Sequence, residues 1–127
     1  QLEPIQDVMR RLRKVDVALV GIGTLQNSVF ADRSVFNRRE IAVLKAAGAV
    51  GEICGRFFNV NGKECETGWR DRVISIELDQ LRRVPQVVGV VAGTDRSDAI
   101  RAAVKGKLLK SLVIDEEGAR ALLESCE

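Results

Sequence analysis

Apolar residues recur at two spacings along the chain, and the alternation between the two lays out the predicted elements. From Pro4 to Lys14, the residues Ile5, Val8, Met9 and Leu12 stand at helical intervals, with Pro4 suited to a first turn. The pattern then becomes a nearly continuous apolar run, Val15-Asp16-Val17-Ala18-Leu19-Val20, closed by Gly21-Ile22-Gly23. Such a run predicts a strand buried on both faces, as in a parallel sheet. A polar loop extends from Thr24 to about Phe36. Asn37 with Glu40 then forms a capping-box pattern for a helix through Ile41, Leu44 and Lys45 that Gly48 can end.

Residues 49–58 read as a second strand, and Asn61-Gly62 is a hairpin turn signal. A polar stretch holding the only Trp, Trp69, leads to a short extended piece at 72–76, so a hairpin is expected near 52–76. Residues 77–83 form a brief helix stopped by Pro85. Gln86 to Ala92, and the stretch around Leu112-Val113-Ile114, are further strands of the fully buried type. Helices are expected from Ser97 to about Lys105 and from Glu116 to Cys126. Apolar strands alternating with helices predict an α/β domain with a mostly parallel sheet. Right-handed crossovers are expected to place helices on both faces, in three layers.

Composition narrows the class. The 127 residues are 46% hydrophobic and 30% charged, near globular averages, so one domain with its own core is expected and general disorder is excluded. No apolar run approaches the ~20 residues that span a bilayer, and no secretory signal is visible, so a cytoplasmic location away from membranes is expected. The chain starts at Gln1 without an initiator Met, as a piece of a longer protein would.

The absence of His removes the Ser-His-Asp and Cys-His nucleophile arrangements and every His-containing zinc site. Cys54, Cys65 and Cys126 stand at no metal-ligand spacing. Reduced thiols, either buried or incidental on the surface, fit them better than a disulfide framework, and no metal or cofactor is expected. The net charge is +2, and the arginine pairs and lysines are dispersed among apolar and acidic neighbours. They read as solvated helix faces, with no DNA-recognition element in this segment.

In parallel sheets, ligands bind beyond the carboxyl ends of the strands, which nominates residues 21–24, 49–52 and 93–96. Gly21-Ile22-Gly23 follows a strand, but the third glycine of a dinucleotide fingerprint would fall at Gln26, so tight exit of the backbone is the better reading. Glu52 sits among apolar residues, where a carboxylate must find a structural partner or stay open to a ligand hydroxyl. Thr94, Asp95, Arg96 and Ser97 stand where a strand gives way to a helix. They can hold an anion, with Arg96 as a bidentate donor, or one of Thr94, Asp95 and Ser97 can simply cap the helix.

Several phrases, taken in order, carry a resemblance. They are Asp16-Val17-Ala18-Leu19-Val20-Gly21-Ile22-Gly23, Gly48-Ala49-Val50-Gly51-Glu52-Ile53, Gly55-Arg56-Phe57-Phe58, and Leu78-Asp79-Gln80-Leu81-Arg82-Arg83-Val84-Pro85. Val88-Gly89-Val90, Ala99-Ile100-Arg101-Ala102-Ala103, and Asp115-Glu116 before Ala119-Arg120-Ala121-Leu122-Leu123 continue the set. Over nearly its whole length the chain resembles the sugar-binding, effector-sensing domain of SorC-type bacterial transcriptional regulators.

The resemblance implies a fold related to sugar-phosphate isomerases and glucosamine-phosphate deaminases. It also implies a phosphorylated sugar or similar metabolite as effector, and assembly as a homodimer or homotetramer. Operator DNA would be bound through a helix-turn-helix segment outside this chain. On that basis residues 1–127 look like the latter half of the effector domain. Glu52 matches the family's acidic position that contacts ligand hydroxyls, and Gly21 and Gly23 match its glycine turn. Arg96 falls where many members have a Lys, and Arg33 matches a basic position in the following loop. Arg is effectively always protonated, so Arg96 anchors an anion but is a poor proton donor or acceptor and cannot form a Schiff base. A sensor without enzymatic activity is therefore the leading expectation. The alternative is a sugar-phosphate isomerase or deaminase using Glu52, with Asp95 or an outside residue as its acid–base partner.

Overall fold

A computed structural model gives the fold, with residues 2–32 and 35–126 described. The elements are α1 (Glu3–Leu12), β1 (Val17–Gly21), α2 (Val29–Asp32), α3 (Arg38–Ala46), β2 (Gly51–Ile53) and β3 (Arg56–Phe58). A 3-10 turn (Gly68–Arg72) follows, then α4 (Leu78–Arg83), β4 (Gln86–Val91), α5 (Ser97–Lys105), β5 (Ser111–Ile114) and α6 (Glu116–Glu124). The expected mixed architecture is present: β1, β4 and β5 form a parallel sheet in that order, and β2 pairs antiparallel with β3.

The sheet buries one face. Val20, Val87 and Val91 point into a core with Leu78 and Leu81 of α4 and Ala99, Ile100, Ala102 and Ala103 of α5, and Leu122 of α6 packs against its edge. The opposite face is open: Val17, Leu19, Val90 and Val113 are 55%, 74%, 51% and 56% exposed. The second layer of helices expected on that face is not found among the described residues, and the three strands are not the doubly buried type their composition predicts. The strand order gives the reason. It runs β1-β4-β5 without reversing, and right-handed crossovers that progress in one direction return every helix to the same side.

The hairpin is also tighter than expected. The continuous strand predicted over 49–58 breaks at Cys54-Gly55, where both residues take positive φ (55° and 81°), the backbone of a two-residue type I′ turn. Asn61-Gly62 makes a second turn, in which the Asn59 side chain accepts from the amides of Asn61 and Lys63. The hairpin thus closes within 51–58, and residues 73–76 are irregular rather than a strand. The α3 capping box forms as predicted, with Asn37 Oδ1 accepting the Glu40 amide at 2.8 Å and the Glu40 carboxylate accepting the Asn37 amide at 2.9 Å. A second core of Leu25, Phe36, Leu44 and Phe57, bordered by Phe30 and Trp69, fixes the loop before α3 against the hairpin.

Candidate functional site

Beyond Gly21 the chain of β1 continues as Ile22-Gly23, and the hairpin docks there. The Gly23 amide donates to the Glu52 carbonyl and the Glu52 amide to the Gly23 carbonyl, both at 2.9 Å. This isolated antiparallel bridge brings Glu52 to the carboxyl end of β1. The Glu52 side chain is half-buried. Its Oε2 accepts the Gly55 amide at 3.2 Å, while a Cβ added at Gly23 would lie 3.5 Å from Oε1. Glycine at 23 therefore leaves room beside a carboxylate oxygen. Burial pushes the Glu52 carboxyl above its usual range, opposed by the Gly55 hydrogen bond.

Arg96 reaches the same stretch from the other side. Its Nη1 donates to the Ile22 carbonyl at 3.0 Å, one residue from the Gly23–Glu52 bridge. Its Nε is enclosed and has no hydrogen-bond partner among the described residues; Asp95 Oδ1 stands 3.7 Å away. Asp95 is held in turn by the Asn27 side-chain amide, which donates to Asp95 Oδ2. Asn27 is fixed by its own backbone amide, which donates to the buried Thr24 hydroxyl at 3.0 Å. Two loops are joined in this way: 22–27 after β1, and 93–96 after β4.

The residues nominated from sequence divide accordingly. Glu52, Gly23, Asp95 and Arg96 converge on Ile22-Gly23. Gly21 lies on the sheet's open face, where an added Cβ would meet nothing within 4 Å. Thr94 is exposed and, with Asp95, lines a shallow depression against α6. Arg33 lies outside the described residues. Helix α5 has Arg96 at its N-cap position and no side-chain cap, so the reading in which Thr94, Asp95 or Ser97 caps this helix is overturned. Asn27 was not singled out from the sequence. An Asn in a polar loop carries no local signal, and its role depends on a partner 68 residues away. A separate groove of about 500 Å³ lined by Leu12, Val15 and Val84 lies before β1 and β4 begin, at the wrong end of a parallel sheet for a ligand.

Comparison with known proteins bears on what this arrangement serves. A family model described as "Putative sugar-binding domain" matches residues 1–124. The deoxyribonucleoside regulator of Bacillus subtilis (strain 168) is 35% identical over 120 residues, covering 94% of this chain and 38% of that protein. The sorbitol operon regulator of Klebsiella pneumoniae is 32% identical over 111 residues, covering 87% of this chain and 35% of that protein. Among solved structures, a DeoR family transcriptional regulator from Listeria monocytogenes superposes with a TM-score of 0.90 at 30% identity, over 96% of this chain and 50% of its own. The full-length sorbitol operon regulator SorC from Klebsiella pneumoniae gives 0.86 at 31% identity, over 97% and 40%. The chain thus spans about two-fifths of these curated relatives. All four are named as regulators, the Listeria monocytogenes protein as a transcriptional regulator, and the isomerase or deaminase alternative finds no support among them.

Proposed function

The chain belongs to the sugar-binding domain family found in bacterial transcriptional regulators, and from that premise we propose that it is part of an effector sensor whose ligand sits between Glu52 and Arg96. The observation that carries this reading is the convergence of Glu52, Gly23, Asp95 and Arg96 beyond the carboxyl ends of β1 and β4. Glu52 accepts hydroxyl hydrogens of a sugar or sugar phosphate, beside the space that Gly23 leaves open. Arg96 supplies the cationic side. Binding biases the regulator between DNA-bound and released states to the extent that the two states differ in ligand affinity. Operator DNA is contacted by a segment outside this chain, in a cytoplasmic homodimer or homotetramer.

In this proposal residues 1–127 are the latter half of the effector domain, and the remaining half packs on the open face of the sheet. Two facts support it. The strands are apolar on both faces although only one face is covered. The Listeria monocytogenes relative carries about as much chain again. The expected switch point of a doubly wound sheet lies where strand order reverses, which here would be at the free edge of β1, beside the site.

A thermal-shift panel of plain and phosphorylated sugars on the full-length protein tests the assignment. A specific stabilising sugar is expected, with the shift lost in Glu52→Ala and in Arg96→Ala. A sugar that stabilises both variants as well as wild type would refute these residues as the site.

A further inference from the structure

Asp95 stands where an anionic ligand of Arg96 would stand. Its Oδ1 is the carboxylate oxygen nearest the partnerless Nε of Arg96, at 3.7 Å, and its Oδ2 accepts from the Asn27 side chain. Gly93 has φ +101°, which turns the loop back on itself, and a Cβ added at Gly93 would lie 3.3 Å from Asp95 Oδ1. Asn27, itself held by buried Thr24, is the side chain that holds the carboxylate. A carboxylate held by Asn27 beside a guanidinium, its side chain 58% exposed, is a built-in counter-ion.

We infer that Asp95 is a resident counter-ion of Arg96 that an anionic effector group must displace, and that the pair sets how far the site distinguishes a sugar phosphate from the plain sugar. The inference rests on the proposed sugar site and sharpens its specificity. Among the described residues, the charged groups at Ile22-Gly23 are one guanidinium, Arg96, and two carboxyl groups, Glu52 and Asp95, so Asp95 offsets the charge that Arg96 would offer a phosphate. A neutral polyol needs no displacement, because it can donate to Glu52 and leave the Asp95–Arg96 pair intact. A phosphate or carboxylate must compete with Asp95 for the Nε and Nη donors of Arg96, and Asn27 resists by holding the displaced group.

The experiment is calorimetric titration of inorganic phosphate into the full-length protein as wild type, Asp95→Asn, Asn27→Ala and the double variant Asp95→Asn/Arg96→Ala. Asparagine keeps the size of Asp95 and can still accept from Asn27, so the loop is retained; circular dichroism melting checks the fold. Asp95→Asn is expected to bind phosphate about threefold to fivefold more tightly than wild type, the scale of one partly exposed charge pair. Asn27→Ala should give a smaller gain, and the gain of Asp95→Asn should vanish in the double variant. Equal phosphate affinity in wild type and Asp95→Asn would overturn the inference. So would the absence of phosphate binding by Asp95→Asn at tens of millimolar, or a gain that survives loss of Arg96. If a sugar still stabilises the protein through Glu52 while any of those results holds, the counter-ion role alone has failed. If the sugar panel is also blank, the site assignment has failed with it.

Discussion

At Glu52 burial opposes ionisation, and the single amide of Gly55 does not fully compensate, so the folded protein holds the proton to a higher pH than the unfolded chain does. The sign of the consequence is fixed by linkage. Between the unfolded and folded values the native state binds more protons, so stability falls as pH rises through that window and stays reduced above it. Glu52→Gln removes the charge while keeping an acceptor for Gly55. It should therefore melt at a higher temperature than wild type at pH 8, with the difference gone below the ordinary Glu value of about 4.3. Melting curves across pH check this, and a constant difference would show that Glu52 is not the titrating group. The same substitution should weaken binding of a hydroxyl-bearing ligand even as it stabilises the fold, as expected of a residue retained for binding at a cost in stability. The sequence showed this residue because a carboxylate amid Val50, Gly51, Ile53 and Cys54 is anomalous. It did not show Asn27, which is an ordinary loop residue until the fold places it against Asp95.

Among the elements, the hairpin positions Glu52, and its anchor is buried and ionic. Arg56 on β3 donates through Nε to the Ile76 carbonyl at 2.8 Å and through Nη2 to the Ser75 carbonyl at 3.2 Å, and it pairs through Nη1 with Glu64 at 3.0 Å. The Arg56 and Glu64 side chains are only 7% and 12% exposed. Glu64→Ala leaves the guanidinium without its counter-charge in a dry setting and should cost about 3 kcal/mol, read by urea unfolding. Exposed pairs such as Arg120–Glu116 should cost under about 1 kcal/mol when broken. At the turn, Gly55 has φ +81° and a Cβ there would lie 3.3 Å from Phe30 Cζ, so Gly55→Ala should cost about 1–2 kcal/mol. Apart from α2 (Val29–Asp32), which falls in the stretch read as a loop, the α-helix starts were legible from local chemistry. The Asn37–Glu40 box starts α3 as its sequence requires, and α5 begins at Ser97 as expected. The β2–β3 turn was not legible, because Cys54 in left-handed backbone has no local preference to announce it and Asn61-Gly62 three residues past β3 is the stronger signal.

For the whole molecule, the mismatch between strand composition and coverage is the most consequential feature. Leu19 is three-quarters exposed in the middle of β1, and Val90 and Val113 continue the apolar stripe across β4 and β5, paired in register. Exposed apolar residues are common singly, but a contiguous stripe across three strands marks a surface that expects a cover. A sequence read alone cannot tell whether that cover lies within the same chain, because an apolar run has the same composition in either case. Stability measurements can. In this chain Leu19→Lys with Val113→Lys should change unfolding free energy by no more than about 0.5 kcal/mol each, the value for exposed sites, and should reduce self-association in sedimentation. In a chain extended by the other half of the domain, the same pair should bury two ammonium groups and cost several kcal/mol. A large loss already in the short chain would mean that the face is covered from within. An equally small effect in both would mean that the proposed second half packs elsewhere than on this face, and would overturn that packing.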